Sequence, residues 1–116
     1  MKKAFVLNSC STCVRILKEV NWTHDVQNIK EKNIDAKTLD KLAKQHGSYE
    51  ALFSRRAMKY RSLGLNEMDL SEKDYRKYIL EEYTFLKRPV FIVEKDSFVG
   101  NTKATVAALK ERLAND

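Results

Sequence analysis

Two cysteines, Cys10 and Cys13, are the only thiols in this 116-residue chain, and they are spaced C-x-x-C. Two are too few for a disulfide scaffold or an all-cysteine zinc site. The two histidines, His24 and His46, lie far away in sequence and complete no metal-ligand spacing. In a reducing compartment the pattern therefore reads as redox chemistry. A thiol reacts as its thiolate. Free amides and the dipole at a helix start favour that anion, so a cysteine at such a start should be acidified and partly exposed. The amides of Ser11, Thr12 and Cys13 could also cradle an oxyanion. Cys13 lies one helical turn on, close enough to close a disulfide and to resolve a mixed disulfide formed on Cys10. The alternatives are that Cys10 is an inert buried thiol and that Cys13 merely packs against a sheet.

The flanking pattern supplies the helix start. Ala4–Asn8 is an apolar run of strand length, and Ser9, Ser11 and Thr12 are small and polar. Val14, Ile16, Leu17 and Val20 then recur at helical spacing, with Asn21 as the stop. Cys10 thus falls where a strand gives way to a helix. Residues 22–29 alternate as a second strand, with Trp22, His24 and Val26 on one side. A helix follows: Asp35 is its N-cap, Ile34 staples to Leu39, Leu39, Leu42 and Ala43 form its stripe, and Gly47 ends it. A short helical piece at Tyr49–Phe53 leads into the basic stretch Arg55-Arg56-Ala57-Met58-Lys59-Tyr60-Arg61, closed by Leu63-Gly64. Ser71 and Asp74 form a capping box, stapled by Leu70 and Tyr75, for a helix with Tyr75, Tyr78, Ile79 and Tyr83 on one face.

The last third reads as a buried strand, Pro89–Glu94, opened by the only proline. A turn at Lys95-Asp96 and a returning strand Ser97–Val99 follow. Gly100 and Asn101 then lead to a helix carrying Val106, Leu109 and Leu113. The order β-α-β, helices, β-β-α predicts an α/β thioredoxin-like fold: a four-stranded mixed sheet in one domain, residues 1–116, with a helical insertion at about 30–86. In that frame Pro89 stands beside the reactive cysteine and Arg88 points at whatever binds there. Arg55 and Arg56 are the other cations whose planar forks suit an oxyanion or carboxylate.

Composition narrows the classes. With 22 Lys+Arg against 16 Asp+Glu the net charge is +6, but the cations are scattered and no groove-reading or base-stacking motif accompanies them, so no direct nucleic-acid partner is expected. At 43% apolar and 33% charged the chain is globular rather than disordered. Its length suffices to bury roughly two-thirds of the unfolded surface. No apolar run approaches the roughly 20 residues of a membrane span. The apolar start is too short for a signal-peptide core, so a cytoplasmic protein without membrane partners is expected.

The chain resembles the glutaredoxin-like arsenate reductase (ArsC/Spx/YffB) family over nearly its whole length. The resemblance is carried by Asn8-Ser9-Cys10-Ser11-Thr12-Cys13, Ile34-Asp35-Ala36-Lys37-Thr38-Leu39, Leu52-Phe53-Ser54-Arg55-Arg56, Tyr60-Arg61-Ser62-Leu63-Gly64, Leu86-Lys87-Arg88-Pro89-Val90 and Val99-Gly100-Asn101, in that order. It implies a Cys10 nucleophile that attacks arsenate or a glutathione or protein disulfide. It implies Arg56, preferred over Arg55, and Arg88 as holders of the anion or of a glutathione carboxylate. It also implies a cis Pro89 beside the substrate. Electrons would come from glutathione, glutaredoxin or thioredoxin, with no bound cofactor and no metal. The C-x-x-C form is similar to redox-sensing regulators of the family that contact RNA polymerase, which gives an alternative reading as a Cys10–Cys13 switch. The basic stretch and Val99-Gly100 look more like the reductase-like members. A structural domain with an idle dithiol is the bland reading. Two departures stand out: Gly100 and Asn101 occupy the place of a third arginine, and Val6 or Leu7 that of a histidine before the cysteine. Fewer cations would compensate an arsenate less well.

Overall fold

The computed structural model describes residues 1–115. Two compact units are present. The first comprises Met1–Lys32 together with the segment from Arg88 onward, and the second is the continuous stretch Asn33–Lys87.

In the first unit, strands β1 (Lys2–Val6), β2 (Asp25–Asn28), β3 (Val90–Val93) and β4 (Asp96–Val99) form one sheet in the order β2-β1-β3-β4. β1 runs parallel to β2 and antiparallel to β3, which pairs antiparallel with β4. Helix α1 (Ser11–Glu19) makes the crossover from β1 to β2, and α5 (Lys103–Ala114) follows the hairpin. This is the α/β thioredoxin-like arrangement. Strand side chains alternate between faces. Ala4, Val6, Phe91 and Val93 pack with Cys13, Ile16 and Val20 of α1 and with Val106 and Leu109 of α5. Phe5, Val90 and Ile92, on the opposite face, are buried as well. Trp22 sets an edge against Phe91 at 5.0 Å and donates its indole N–H to the Asp25 carbonyl at 3.1 Å.

Several boundaries depart from the periodicity. β1 starts at Lys2, because Lys2↔Val93 and Lys3↔Ile92 already pair with the buried β3. The buried stripe of α1 is Cys13 and Ile16, continued by Val20 at its C-cap, while Val14 is 40% exposed. β2 is only four residues long and lies at the sheet edge, so Val26 is left 47% exposed. The hairpin turn is Glu94-Lys95 rather than Lys95-Asp96. Glu94 takes the left-handed conformation (φ 57) and Asp96 already pairs with Val93. The stop at Asn21, by contrast, is as expected: α1 closes at Val20, and Asn21 (φ 55) takes the left-handed position just beyond it.

The second unit holds α2 (Ala36–His46), α3 (Met58–Ser62) and α4 (Glu72–Glu81), joined by short 3-10 turns. Local signals act here as expected. Asp35 accepts from Thr38 N–H, Gly47 takes the left-handed C-terminal position (φ 96), and Ser71 and Asp74 form a reciprocal capping box. Tyr83 does not extend the face of α4. It opens a separate 3-10 turn, because Glu82 leaves helical geometry and caps Thr84. Phe53 is the aromatic hub, stacked on Phe85 at 5.0 Å and edge-on to Tyr75 and Tyr60. Among the described residues no helix is long and apolar enough to cross a membrane.

Phe91, 1% exposed, has no room to collapse around a deletion. Phe91→Ala should therefore cost about 3–5 kcal/mol of stability, whereas Asp35→Ala, which removes one cap, should cost about 1 kcal/mol. Urea unfolding of both variants reads the difference.

Candidate active site

The site is built by a reversal of the chain between β1 and α1. Cys10 N–H donates to the Leu7 carbonyl at 2.9 Å and closes a tight turn, and the Cys10 carbonyl accepts from Val14 N–H at 3.1 Å. Cys10 is thus the N-cap of α1, with extended backbone (φ −89, ψ 109) and no side-chain cap hydrogen bond. The first-turn amides are satisfied at an N-cap by an acceptor side chain or by water. Here a sulfur stands in that place, half-buried.

Electrostatics follow from this position. Partial burial pushes the Cys10 thiol up. It is outweighed by hydrogen bonds from the Cys13 amide, the Cys13 side chain and the Thr12 amide, and by the positive charge of Arg88, so the net direction is down from 9.0. Cys13 moves the other way. Wholly buried, it is pushed up to about 11 by burial first, with a hydrogen bond to Cys10 and the Cys10 charge adding to the rise, against lowering by the Leu7 backbone and Arg88. The pair is therefore polarised: one sulfur is prepared to be an anion and the other holds its proton.

Arg88 is half-buried, its bond to Pro89 is cis, and Pro89 is buried. The Pro89 carbonyl accepts from Gly100 N–H at 2.9 Å. Gly100 (φ 98) has open space where a Cβ would stand. Ser11 is exposed and Thr12 half-buried. Cys10, Ser11, Thr12, Cys13, Arg88 and Pro89 thus all belong to the first unit. Arg56 belongs to the second. It is exposed and makes no hydrogen bond or ion pair among the described residues. Arg55 is committed: its guanidinium donates to Glu50 at 2.6 Å and to the Tyr75 hydroxyl at 3.0 Å. The backbone of Leu7 holds the Cys10 amide and acts on the Cys13 thiol, a role that no side-chain signal in the sequence could reveal. A separate cleft of about 380 Å³, lined in part by Glu19, Trp22, His24 and Lys110, opens at the far end of α1 and holds no thiol.

The ArsC family model matches residues 5–109, which include every part of this site. The chain belongs to the ArsC family. Among solved structures this ArsC-family chain is similar to the YFFB protein (23% identity, TM-score 0.79, covering 94% of this chain and 98% of that one). It is also similar to an arsenate reductase from Vibrio cholerae (18%, 0.77, 93% and 96%). A third likeness is to an arsenate reductase (ArsC) related protein from Brucella melitensis (22%, 0.69, 92% and 92%). At these identities the likeness shows the fold. No curated protein matches the chain.

The two thiols have opposite linkage to stability. Cys13 is protonated in the folded state and more acidic when unfolded, so its contribution falls as pH rises from 9.0 toward about 11. The stability that Cys10 contributes is fully present above 9.0 and is lost as pH falls through its lowered folded value. Thiolate absorbance should accordingly show one early and one late titration, and Cys10→Ser should remove only the early one. Urea midpoints of Cys13→Ala should decline less than those of wild type across the alkaline window.

Proposed function

We propose that this chain is a thiol-dependent reductase whose nucleophile is the Cys10 sulfur. The observation that carries the reading is Cys10 at the N-cap of α1, where the Thr12 and Cys13 amides and the charge of Arg88 favour its thiolate. An anion formed there is stabilised in advance, without movement of the protein.

With a glutathione or protein disulfide, the Cys10 thiolate attacks one sulfur. The old S–S bond breaks, a thiolate leaves, and Cys10 carries the mixed disulfide. Cys13 then loses its proton and attacks the Cys10 sulfur, releasing the second thiolate and closing Cys10–Cys13. Two electrons from glutathione, glutaredoxin or thioredoxin restore the dithiol. Once Cys10 is in a disulfide its charge no longer opposes ionisation of Cys13, so the second attack becomes easier than the value near 11 implies. With arsenate, Cys10 would displace an oxygen as water to form an S–As bond. A second thiol would attack the Cys10 sulfur, and the bond's electron pair would leave on arsenic, reducing As(V) to As(III). In both cases Arg88 balances charge at the reacting atoms. Arg56, uncommitted where Arg55 is tied, is proposed as an anion-binding residue of the second unit.

A disulfide is the better substrate on charge grounds. Gly100, hydrogen-bonded to Pro89, offers open space and no cation. A multiply charged oxyanion needs more compensation than a neutral disulfide.

Consumption of reductant with a glutathione mixed disulfide, and separately with arsenate, tests this. Cys10→Ser should lose roughly a hundredfold or more of the rate, and Arg88→Ala roughly tenfold or more. Cys13→Ser should accumulate a glutathionylated Cys10 visible by mass. Equal rates for wild type and Cys10→Ser would overturn the assignment.

A further inference from the structure

The turn Leu7–Cys10 aims the sulfur, yet its central residues Asn8 and Ser9 are exposed. Besides its own Cys10-to-Leu7 bond, the turn has a support from outside. The Asn8 amide donates to Asn28 Oδ1 at 3.4 Å, and the same oxygen accepts from the Lys30 amide, also at 3.4 Å. Asn28 is itself rigidly placed. It is the last ladder residue of β2, paired with Val6 at the end of β1. The next residue, Ile29, extends that pairing through N–H to the Val6 carbonyl at 2.9 Å. The Asn28 carbonyl accepts from Glu31 and Lys32 at 3.1 and 3.0 Å. The backbone of Asn28 is thus clamped on both sides, and its side chain is half-buried, reaching across to the turn that precedes Cys10.

We infer that Asn28 is a positioning residue for the Cys10 nucleophile, its carboxamide oxygen pinning the Asn8 amide and so the turn that delivers the sulfur to the start of α1. The inference rests on the reductase reading above and deepens it. Both bonds are long, so the energy at stake is small. What matters is that one acceptor with two lone pairs ties the β2 loop to the β1–α1 turn. Without it the Asn8 amide turns to water, the turn widens, and the alignment of the sulfur with the Thr12 and Cys13 amides is lost. Small misplacements of a reacting group carry large rate penalties.

The test uses the intact chain, iodoacetamide as probe, and amide hydrogen exchange. In Asn28→Ala the Asn8 and Lys30 amides should exchange at least about threefold faster, and the pH midpoint of Cys10 alkylation should rise by about half a unit. Asn28→Asp keeps the acceptor oxygen and should retain Asn8 protection close to wild type, so it covers the case in which the alanine variant folds poorly. An alkylation midpoint unmoved in Asn28→Ala, or Asn8 protection lost equally in Asn28→Asp, overturns the inference. A wild-type midpoint that is not lowered would overturn the reductase reading instead. A lowered wild-type midpoint that survives Asn28→Ala would overturn only the role of Asn28.

Discussion

A sulfur anion next to a hydrophobic core is unfavourable unless donors already stand around it. In this protein that requirement is met by the first turn of α1, and much of the first unit follows from it. β1 must stop at Val6, and the chain must reverse within Leu7–Cys10. α1 must then lie against the sheet so that its open end stays near the surface while Cys13 and Ile16 go inside. The packing of Ile16 and Val20 against Phe91 and Val93 is therefore also a means of aiming a helix end.

The two sulfurs show how one turn of helix separates two electrostatic environments. Cys10 and Cys13 differ by three positions, which puts one at the helix mouth and the other beneath it on the core-facing stripe. Burial dominates Cys13 and hydrogen bonding prevails at Cys10, so the same side chain is shifted in opposite directions. Packing against the sheet and serving as a resolving thiol are thus compatible: the burial that keeps Cys13 protonated also places it under its partner.

What could be read from the sequence was what local chemistry determines. Asp35 with Thr38, Gly47, and the Ser71–Asp74 box were legible because each is a side chain or a glycine meeting its own backbone neighbours. The strand-to-helix position of Cys10 was legible for the same reason. Exposure depends on partners distant in sequence, so apolar Val14 and Val26 could not be recognised as surface residues. The hairpin was displaced by one residue because a left-handed glutamate at position 94 carries no composition signal. At the site, Arg88 and Pro89 could be singled out, but the contributions of Leu7 and Asn28 arise from a turn and from strand pairing.

Position 12 acidifies Cys10 through its peptide group alone, whereas position 13 contributes through its side chain as well. Evolution could therefore exchange the side chain at position 12 while the Cys10 thiol kept its acidity, provided proline did not remove the N–H. Heritable variation at position 12 can therefore reshape the surface beside the sulfur, with the acidity of the thiol insulated from that drift.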